Sequence, residues 1–597
     1  MAMQIDKAAL KKKYAQERDK RLRPDGNDQY LRFEDEFAGY LDDPYLDVQP
    51  REPKTDHVTF AFVGAGFAGL VTGARLVERG VRDIRIIDKS GDFGGTWYWN
   101  RYPGAQCDTA SMIYLPLLEE TGHMPSEKYV HAPEILEHCQ RIATQYDLYR
   151  DTLFHTQVTE VAWQEDESVW RIRTNRGDDF TARFLGMGTG PLHMPKLPGI
   201  PGIGDFRGHA FHTSRWDYDY TGGGPGGEPM DKLGDKRVAL IGTGATAVQC
   251  VPHLAAACGQ LYVCQRTPSS VDARENTALD PDWFAQVARP GWQKRWMENF
   301  AANQTGGMVD EDLVDDGWTD IARRFRARVA ALATDEMGNP KKWAEAWEDA
   351  DMEKMEEIRA RVDDVVEDPD TALHLKAWYN QLCKRPCFHD GYLRAFNEAS
   401  TTLLDTDGKG VERITARGVV VQGVEYEVDC IIYGSGFEVG TERVSRTGFE
   451  VYGRGGLSLT DYWAKGMRSL HGLTARNFPN AFFVQPSQAG NLISNIPHNI
   501  VEAALSIAAV TKHALDNGSE VVEPSEQAEQ AWVELIESGA GLVLPSADCT
   551  PGYYNNEGQP IPEEAHSYAG YPRGAVAFFE FIQQWRDSGE FEGIEFR

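Results

Sequence analysis

The chain has 597 residues, 41% of them hydrophobic and 25% charged, which is typical of a globular protein with more than one packed core. The 61 basic and 91 acidic side chains give a net charge of −30, and this acidic excess argues against nucleic-acid or anionic-membrane partners because it repels polyanions. No run of about 18 apolar residues predicts a membrane span, and the nine cysteines are scattered along a chain without a secretory signal. We therefore expect reduced cysteines and a cytoplasmic protein.

The first 57 residues are polar and predict an N-terminal extension, with residues 7–23 as one amphipathic helix. At Val58 the pattern changes to a buried strand, a glycine turn (Gly64-Ala-Gly66-Phe-Ala-Gly69), a helix and a second strand that ends at Asp88. This order of elements is the context in which such a turn binds a dinucleotide pyrophosphate through backbone amides and the helix dipole. A local phosphate site therefore needs no positive net charge.

The same order of elements recurs after residue 236, where a strand leads into a second turn, Gly242-Thr-Gly244-Ala-Thr-Ala247, and the following strand ends at Arg266. A strand-rich stretch after each copy closes in a similar turn, at 188–190 and at 434–436. The repeat predicts an α/β fold with two doubly wound, Rossmann-like dinucleotide-binding domains. The second copy carries a predicted helical insertion at about 275–375.

Asp88 and Arg266 occupy equivalent positions, each 19 residues after the third small residue of its turn. An acid at this position accepts hydrogen bonds from ribose hydroxyls, whereas an arginine attracts a ribose 2′-phosphate. We therefore expect FAD at the first site and NADPH at the second, since paired dinucleotide sites commonly hold one reducible cofactor and one hydride donor. An exposed strand-end arginine without a ligand is the alternative interpretation of Arg266.

The predicted domains follow from these units: an N-terminal extension (1–57), the first part of the FAD-binding domain (58–200), the NADP-binding domain with its helical insertion (201–436), and the second part of the FAD-binding domain, which closes the substrate site (437–597).

Two longer motifs narrow the interpretation. Residues 94–108 read Gly-Gly-Thr-Trp-Tyr-Trp-Asn-Arg-Tyr-Pro-Gly-Ala-Gln-Cys-Asp, and residues 206–217 read Phe-Arg-Gly-His-Ala-Phe-His-Thr-Ser-Arg-Trp-Asp. In this order around two glycine turns, they resemble the motifs of type I Baeyer-Villiger monooxygenases over about residues 58–500. The second motif ends Trp-Asp where the family often has Trp-Pro. The related N- or S-oxygenating flavin monooxygenases, whose shorter motif lacks this tryptophan, are the alternative.

The resemblance implies an FAD- and NADPH-dependent enzyme that uses O2 to insert an oxygen atom beside a ketone carbonyl, giving esters or lactones. It implies a flavin C4a-peroxide and a tetrahedral adduct that is stabilised by Arg385, since a guanidinium stays charged where an ammonium could deprotonate. Asp108 would orient Arg385, and Lys384 with Arg266 and Thr267 would bind the 2′-phosphate. A plain salt bridge is the alternative for Arg385. The long extension and the tryptophan-rich insertion resemble the subgroup that accepts bulky macrocyclic or polycyclic ketones.

The candidate residues fall into three groups. Arg385 and Asp108 are the candidate catalytic residues. The candidate cofactor-binding residues are Gly64, Gly66, Phe67, Ala68, Gly69, Asp88, Lys89, Gly95, Thr96, Trp97, Asn100, Gln106, Asp108, Tyr114, Val158, Thr243, Gly244, Ala245, Thr246, Ala247, Arg266, Thr267, Lys384 and Arg385. Leu492 and Ile493 are candidates for the substrate pocket or for a packed core turn. Cys383 and Cys387 are expected to be packing cysteines, and no metal site is predicted, His212 included. The oligomeric state and the physiological ketone stay open.

Overall fold

The computed structural model describes residues 5–31, 35–333, 336–337, 339–439, 443–491, 495–539, 548–560 and 562–597. The α-helices in this part of the chain are α1 (Lys7–Asp19), α2 (Phe67–Glu78), α3 (Thr96–Trp99), α4 (Ser111–Tyr114), α5 (Leu118–Thr121), α6 (Ala132–Gln145), α7 (Tyr218–Thr221), α8 (Ala245–Ala257), α9 (Pro281–Val287), α10 (Trp292–Gln304), α11 (Asp320–Ala330), α12 (Pro340–Val365), α13 (Pro369–Leu375), α14 (Arg443–Thr447), α15 (Leu459–Tyr462), α16 (Ile496–Asn517), α17 (Glu526–Gly539) and α18 (Gly574–Ser588).

The strands are β1 (Tyr30–Leu31), β2 (His57–Val63), β3 (Ile84–Ile87), β4 (Thr152–Leu153), β5 (Val158–Gln164), β6 (Val169–Thr174), β7 (Asp179–Met187), β8 (Leu197–Pro198), β9 (His209–His212), β10 (Arg237–Ile241), β11 (Gln260–Gln265), β12 (Val271–Asp272), β13 (Cys387–Phe388), β14 (Thr401–Asp405), β15 (Arg413–Ile414), β16 (Gly418–Val421), β17 (Val424–Glu427), β18 (Cys430–Tyr433), β19 (Glu450–Tyr452), β20 (Ala481–Phe483), β21 (Val522–Pro524) and β22 (Ile594–Phe596).

The first large sheet has the order β19-β5-β6-β7-β2-β3-β4, with β20 also paired to β7. Its centre, β7-β2-β3, is parallel, and most residues of these strands are buried because both faces are covered. Helices α2, α16 and α18 contribute to the core on one face. Strand β20 and helix α16 come from the last 160 residues of the chain, so this late segment packs into the first sheet.

The second large sheet has the order β14-β11-β10-β18-β9, and all four strand pairs are parallel. Helix α8 follows β10 and packs into the core on one face of this sheet. The order repeats the strand-turn-helix-strand unit of the first sheet. The predicted α/β class with two dinucleotide-binding units is confirmed, while the exact domain boundaries stay a prediction.

The N-terminal extension and the helical insertion pack against each other. Helix α1 ends at Asp19, four residues before the predicted end, and its Leu10 and Tyr14 form a small buried cluster with Met352 of α12. Ion pairs from Lys7 and Lys11 to acids of α12 flank this cluster. Helices α9 to α13 occupy the predicted insertion.

The expectation of a reduced packing cysteine at position 383 is wrong. Cys383 forms a disulfide with Cys549, 166 residues later in the chain. Nothing local in the sequence signals a pair at that separation, whereas Cys387, which the sequence placed in the same short motif, is buried and free. The bridge ties the segment that carries Lys384 and Arg385 to the loop of residues 548–560.

Among the described residues, no helix is long and apolar enough to cross a membrane. The same part of the chain holds no group of three or more side chains suited to a metal ion. His212 is fully buried, and its Nδ1 lies 2.8 Å from the Ser214 hydroxyl. Its surroundings are those of a core histidine.

Candidate active site

The two glycine turns face one cavity of 1660 Å³. All of the candidate cofactor-binding residues line it except Gly69 and Ala247. These two residues stand at the third position of each turn, where a small side chain allows the helix to pack closely on its strand, and both are buried. Leu492 and Ile493 lie outside the described residues. The structure therefore brings both turns, both strand ends and the Lys384-Arg385 segment to one cavity.

The first turn leaves backbone amides exposed to the cavity. Gly64 has φ +118°, and a Cβ at this position would lie 2.5 Å from the carbonyl oxygen of Gly188 in the closing turn. Helix α2 begins after Gly66, which has no side chain to cap the first amides. A larger residue at Gly66 would approach the backbone of Gly95. The turn is a cradle of the size and polarity that a pyrophosphate needs.

The second turn repeats this geometry in its own sheet. Gly242 has φ +119°, and a Cβ there would clash with the carbonyl oxygen of Gly434 in the second closing turn. Helix α8 begins after Gly244, which again provides no side-chain cap. The Thr243 hydroxyl donates to the backbone oxygen of Thr267 at 2.7 Å, so it stabilises the turn. Each closing turn thus fixes the glycine turn beside it.

Asp88 holds the first turn as well as facing the cavity. Its two carboxylate oxygens accept hydrogen bonds from the amides of Ala65 (2.6 Å) and Ser90 (2.8 Å). The next residue, Lys89, faces the cavity with its Nζ 3.0 Å from the Met194 sulfur. Burial, reinforced by nearby Arg215, lowers the pKa of Lys89 to about 7. This side of the cavity therefore carries the carboxylate of Asp88, which two backbone amides hold in place, and the Lys89 amine, which holds its proton less tightly than an ordinary lysine.

Arg266 ends its strand at the other side of the cavity. Its guanidinium donates to the Gln29 side-chain oxygen at 2.6 Å and lies 3.3 Å from the Glu557 carboxylate. Lys384 lines the cavity close by, and burial with the positive charge of Arg266 lowers the pKa of its ammonium to about 8. The Thr267 hydroxyl is buried without a hydrogen-bond partner. These groups can bind a phosphate that the glycine turn alone would not reach.

Arg385 faces the same cavity and pairs with Asp108. Its NH2 group bonds one carboxylate oxygen of Asp108, and its Nε lies 3.3 Å from the other. Burial lowers the pKa of Arg385, but Asp108 and Tyr554 outweigh burial and hold that pKa well above its ordinary value. The guanidinium also lies 4.7 Å from the ring centre of Trp318, whose indole N–H donates to the Asp108 carbonyl at 2.7 Å. The result is a fixed positive charge in a mostly enclosed position.

Several candidate residues use their polar groups within the protein rather than toward the cavity. The Gln106 amide donates to the Tyr129 carbonyl at 2.5 Å, the Asn100 amide donates to the Thr96 carbonyl at 2.8 Å, and the Tyr114 hydroxyl accepts from the indole of Trp97 at 3.0 Å. These side chains shape the wall of the cavity. Their direct contact with a cofactor stays a prediction.

Sequence reasoning missed residues from three distant segments: Gln29 and Tyr30 of the extension, Trp318 of the insertion, and Tyr553, Tyr554 and Glu557 of the loop after the disulfide. All except Trp318 line the cavity, and Trp318 lies behind Arg385. The turn-rich run at 551–558 was the one available signal for the loop. No spacing rule links these segments to the glycine turns.

The cavity fits two dinucleotides by its own chemistry. It presents two uncapped helix starts, an acid at one strand end, cations at the other, and an unpartnered buried hydroxyl at Thr267. A Cβ at Gly64 or at Gly242 would clash with the carbonyl oxygen of the neighbouring closing turn, so each turn requires glycine to keep this geometry. The first site suits FAD and the second suits NADP(H).

Comparisons with known proteins agree with this site. The family described as pyridine nucleotide-disulphide oxidoreductase matches residues 61–289. Neopentalenolactone D synthase of Streptomyces avermitilis is 49% identical over 99% of this chain and 100% of that protein. A Baeyer-Villiger monooxygenase of Streptomyces coelicolor is 47% identical over 97% of this chain and 95% of that protein. The solved polycyclic ketone monooxygenase of Thermothelomyces thermophila is 37% identical, with a TM-score of 0.92 over 99% of both chains.

Proposed function

This chain belongs to the Baeyer-Villiger monooxygenases, and we propose that it oxygenates bulky cyclic or polycyclic ketones and that Arg385 is its catalytic cation. The chain is an NADPH-dependent flavoprotein that inserts one oxygen atom beside a ketone carbonyl, giving esters or lactones. The N- or S-oxygenating alternative is not favoured by this membership.

When bound, NADPH supplies the hydride and FAD supplies the redox centre at which O2 is activated. The residues that would hold FAD are the amides of the turn that begins at Gly64 and the carboxylate of Asp88. Those that would hold NADPH are the second turn at Gly242, with Arg266, Thr267 and Lys384 at its 2′-phosphate. Support comes from the uncapped helix starts and from the acid and the arginine at equivalent strand ends.

The Arg385–Asp108 pair in the shared cavity is the observation that carries the proposed mechanism. Negative charge develops on the substrate carbonyl oxygen as oxygen is inserted, and a guanidinium in an enclosed site stabilises that charge strongly. Asp108 fixes the plane of the guanidinium through two contacts. The proposed role of Asp108 is therefore to orient Arg385 rather than to transfer a proton.

The substrate class rests on the relatives and on the lining of the cavity. One relative is named for a polycyclic ketone and another for ketocytochalasin. Apolar side chains such as Phe437, Ile496 and Ile500 line the same cavity as Arg385. An apolar wall with one fixed cation suits a large, mostly hydrocarbon ketone.

A substrate panel tests the proposed activity. The FAD-loaded enzyme is incubated with NADPH, 18O2 and bicyclic or tricyclic ketones, with a thioether and a tertiary amine in parallel. We expect a lactone that carries one 18O atom, measured by mass spectrometry. Sulfoxide or N-oxide as the main product, or hydrogen peroxide without lactone for every ketone, would contradict the proposal.

Arg385→Ala tests the catalytic cation. Removing one group that stabilises developing charge costs about 3 to 4 kcal/mol, so lactone formation should fall by roughly 10² to 10³. Flavin reduction by NADPH, followed anaerobically by absorbance, should survive. The matched control is Arg171→Ala on β6, whose guanidinium pairs with Asp179 away from the cavity. Normal lactone formation by the Arg385 variant would refute the role.

A further inference from the structure

The strand-end Arg266 is held by two segments that are far from it in the sequence. Its NH1 group donates to the Gln29 side-chain oxygen at 2.6 Å, and its NH2 group lies 3.3 Å from Glu557 on the loop after the disulfide. Its backbone oxygen accepts from Arg21 of the extension at 3.0 Å. The extension therefore contacts both the side chain and the main chain of this residue.

Gln29 is itself fixed before it reaches Arg266. The residue is buried, and its amide nitrogen donates to the Gly26 carbonyl at 2.6 Å, so the side-chain oxygen points to the guanidinium in one orientation. Gly26 has φ +48°, and a Cβ there would lie 2.8 Å from the Gln559 side chain. The extension is thus packed closely on the loop that carries Glu557.

Further bonds seal this contact. Asn27 donates to the Asn556 side chain at 2.8 Å, Tyr30 donates to Glu557 at 3.1 Å, and β1 pairs with β8. Lys196 lies 3.5 Å from the centre of the Tyr30 ring. Gln29 and Tyr30 line the cavity together with Arg266 and Lys384. The extension is therefore a wall of the second dinucleotide site rather than a separate arm.

We propose that Gln29 is a specificity-determining positioning residue, which orients the Arg266 guanidinium for the 2′-phosphate of NADP(H). The N-terminal extension then forms the outer wall of that phosphate site. This inference rests on the proposed role of Arg266. A guanidinium has five N–H donors, so bonds to Gln29 and Glu557 fix its plane and leave others for a phosphate.

Gln29 and Glu557 both accept hydrogen bonds from Arg266, but they differ in charge. This difference explains why the neutral amide of Gln29 supports selectivity for the 2′-phosphate. Glu557 is only 3% exposed, and Tyr30 and Lys196 share its carboxylate with Arg266. Its charge is therefore offset on its own side of the site. Gln29 accepts from Arg266 without adding a negative charge beside an incoming phosphate, so it can orient the guanidinium without competing for it.

The test separates the 2′-phosphate from the rest of the cofactor. Binding of 2′,5′-ADP and of 5′-AMP to the FAD-loaded enzyme is measured by calorimetry, and the ratio of the two dissociation constants reports recognition of the 2′-phosphate without turnover. The variants are Gln29→Ala and Gln29→Met, which keeps the length of the side chain. Asn27→Ala is the control, since it removes one side-chain hydrogen bond between residues 26–29 of the extension and the loop that carries Glu557.

We expect both Gln29 variants to weaken the binding of 2′,5′-ADP about three- to tenfold, the order of one ordinary hydrogen bond, because Gln29 acts on the phosphate only through Arg266; the binding of 5′-AMP should be unchanged within about twofold. Asn27→Ala should leave the ratio unchanged. If the preference for 2′,5′-ADP over 5′-AMP falls equally in the Asn27 and Gln29 variants, the proposal is overturned, because the extension would then act only as a structural support.

Arg266→Ala separates the proposed role of Gln29 from the proposed role of Arg266 itself. Loss of 2′,5′-ADP binding by more than about tenfold in this variant, with a normal ratio in both Gln29 variants, overturns the role of Gln29 alone. An unchanged ratio in Arg266→Ala overturns the proposed function of Arg266, and with it the inference that depends on it. Melting temperatures of all variants confirm that the fold is kept.

Discussion

Trp318 offers a sharp test of how the helical insertion contributes to catalysis. It lies just before α11, is 7% exposed, and makes two contacts with the Arg385–Asp108 pair. Its ring faces the guanidinium at 4.7 Å, and its indole N–H bonds the Asp108 carbonyl at 2.7 Å. Trp318→Phe keeps the ring and removes the donor, while Trp318→Leu removes both.

The two contacts set the size of the expected effects. A buried hydrogen bond contributes about 1 kcal/mol net, so Trp318→Phe should lower lactone formation roughly fivefold if the orientation of Asp108 limits the rate. A desolvated cation–π contact adds up to about 2 kcal/mol. Trp318→Leu should therefore lower the rate about 30- to 150-fold, and the two variants should differ by the cation–π part.

The assay compares three rates at saturating NADPH: NADPH oxidation, lactone formation and hydrogen peroxide release. We expect NADPH oxidation to persist while lactone is replaced by peroxide, because only the position of the cation has changed. Trp283→Leu is the matched control, since this half-exposed tryptophan of the same insertion packs edge-to-face against Trp296. Wild-type coupling in Trp318→Leu would refute the argument that the insertion positions Arg385.

Two further predictions follow from charge and from covalent structure. The pKa of Lys384 is lowered to about 8, so its positive charge is present below that pH and lost above it. The dissociation constant for 2′,5′-ADP should therefore rise between about pH 7 and 9, while that for 5′-AMP stays flat. Lys384→Arg should remove this pH dependence. A flat profile in the wild type would contradict it. Thiol titration of the denatured protein should find seven thiols before reduction and nine after it. Cys549→Ser should lower the free energy of unfolding by about 2 to 4 kcal/mol. The upper limit is about 5 kcal/mol for the long chain segment that the Cys383–Cys549 bridge closes. Nine thiols without reduction would exclude the bridge.

The repeated strand-turn-helix units could be predicted because each is encoded by contiguous residues. The turns at Gly64 and Gly242 combine a buried strand, closely spaced small residues and a helix within about 30 residues. Even the closing turns were detectable, since Gly188 and Gly434 each follow an apolar strand. In the structure, their carbonyl oxygens lie where a Cβ of the first glycine would stand. Local patterning therefore predicted the positions of both glycine turns.

The contacts that complete the site could not be predicted in this way. Gln29 and Arg266 are 237 residues apart, and Asp108 and Trp318 are 210 apart. Cys383 and Cys549 are separated by 166 residues, in a chain whose nine cysteines allow many pairings. Side chains this distant meet only because the two sheets and the insertion bring them together. The resemblance supplied Arg385 and Asp108 as a pair, but it did not indicate Trp318, which contacts both of them.

The extension and the insertion each contact a cation of the same cavity and are joined to each other. Gln29 of the extension contacts Arg266, and Trp318 of the insertion contacts Arg385. Where the two segments join, Tyr14 of α1 lies 3.2 Å from Arg359 of α12, which also bonds the Ala377 carbonyl before the Lys384-Arg385 segment. Because Lys384 and Arg385 are neighbours, a shift of that segment moves the proposed phosphate-binding lysine and the proposed catalytic cation together. A loss of packing between α1 and α12 should therefore alter cofactor selectivity and coupling in the same variant, whereas a defect in Gln29 alone should alter only selectivity.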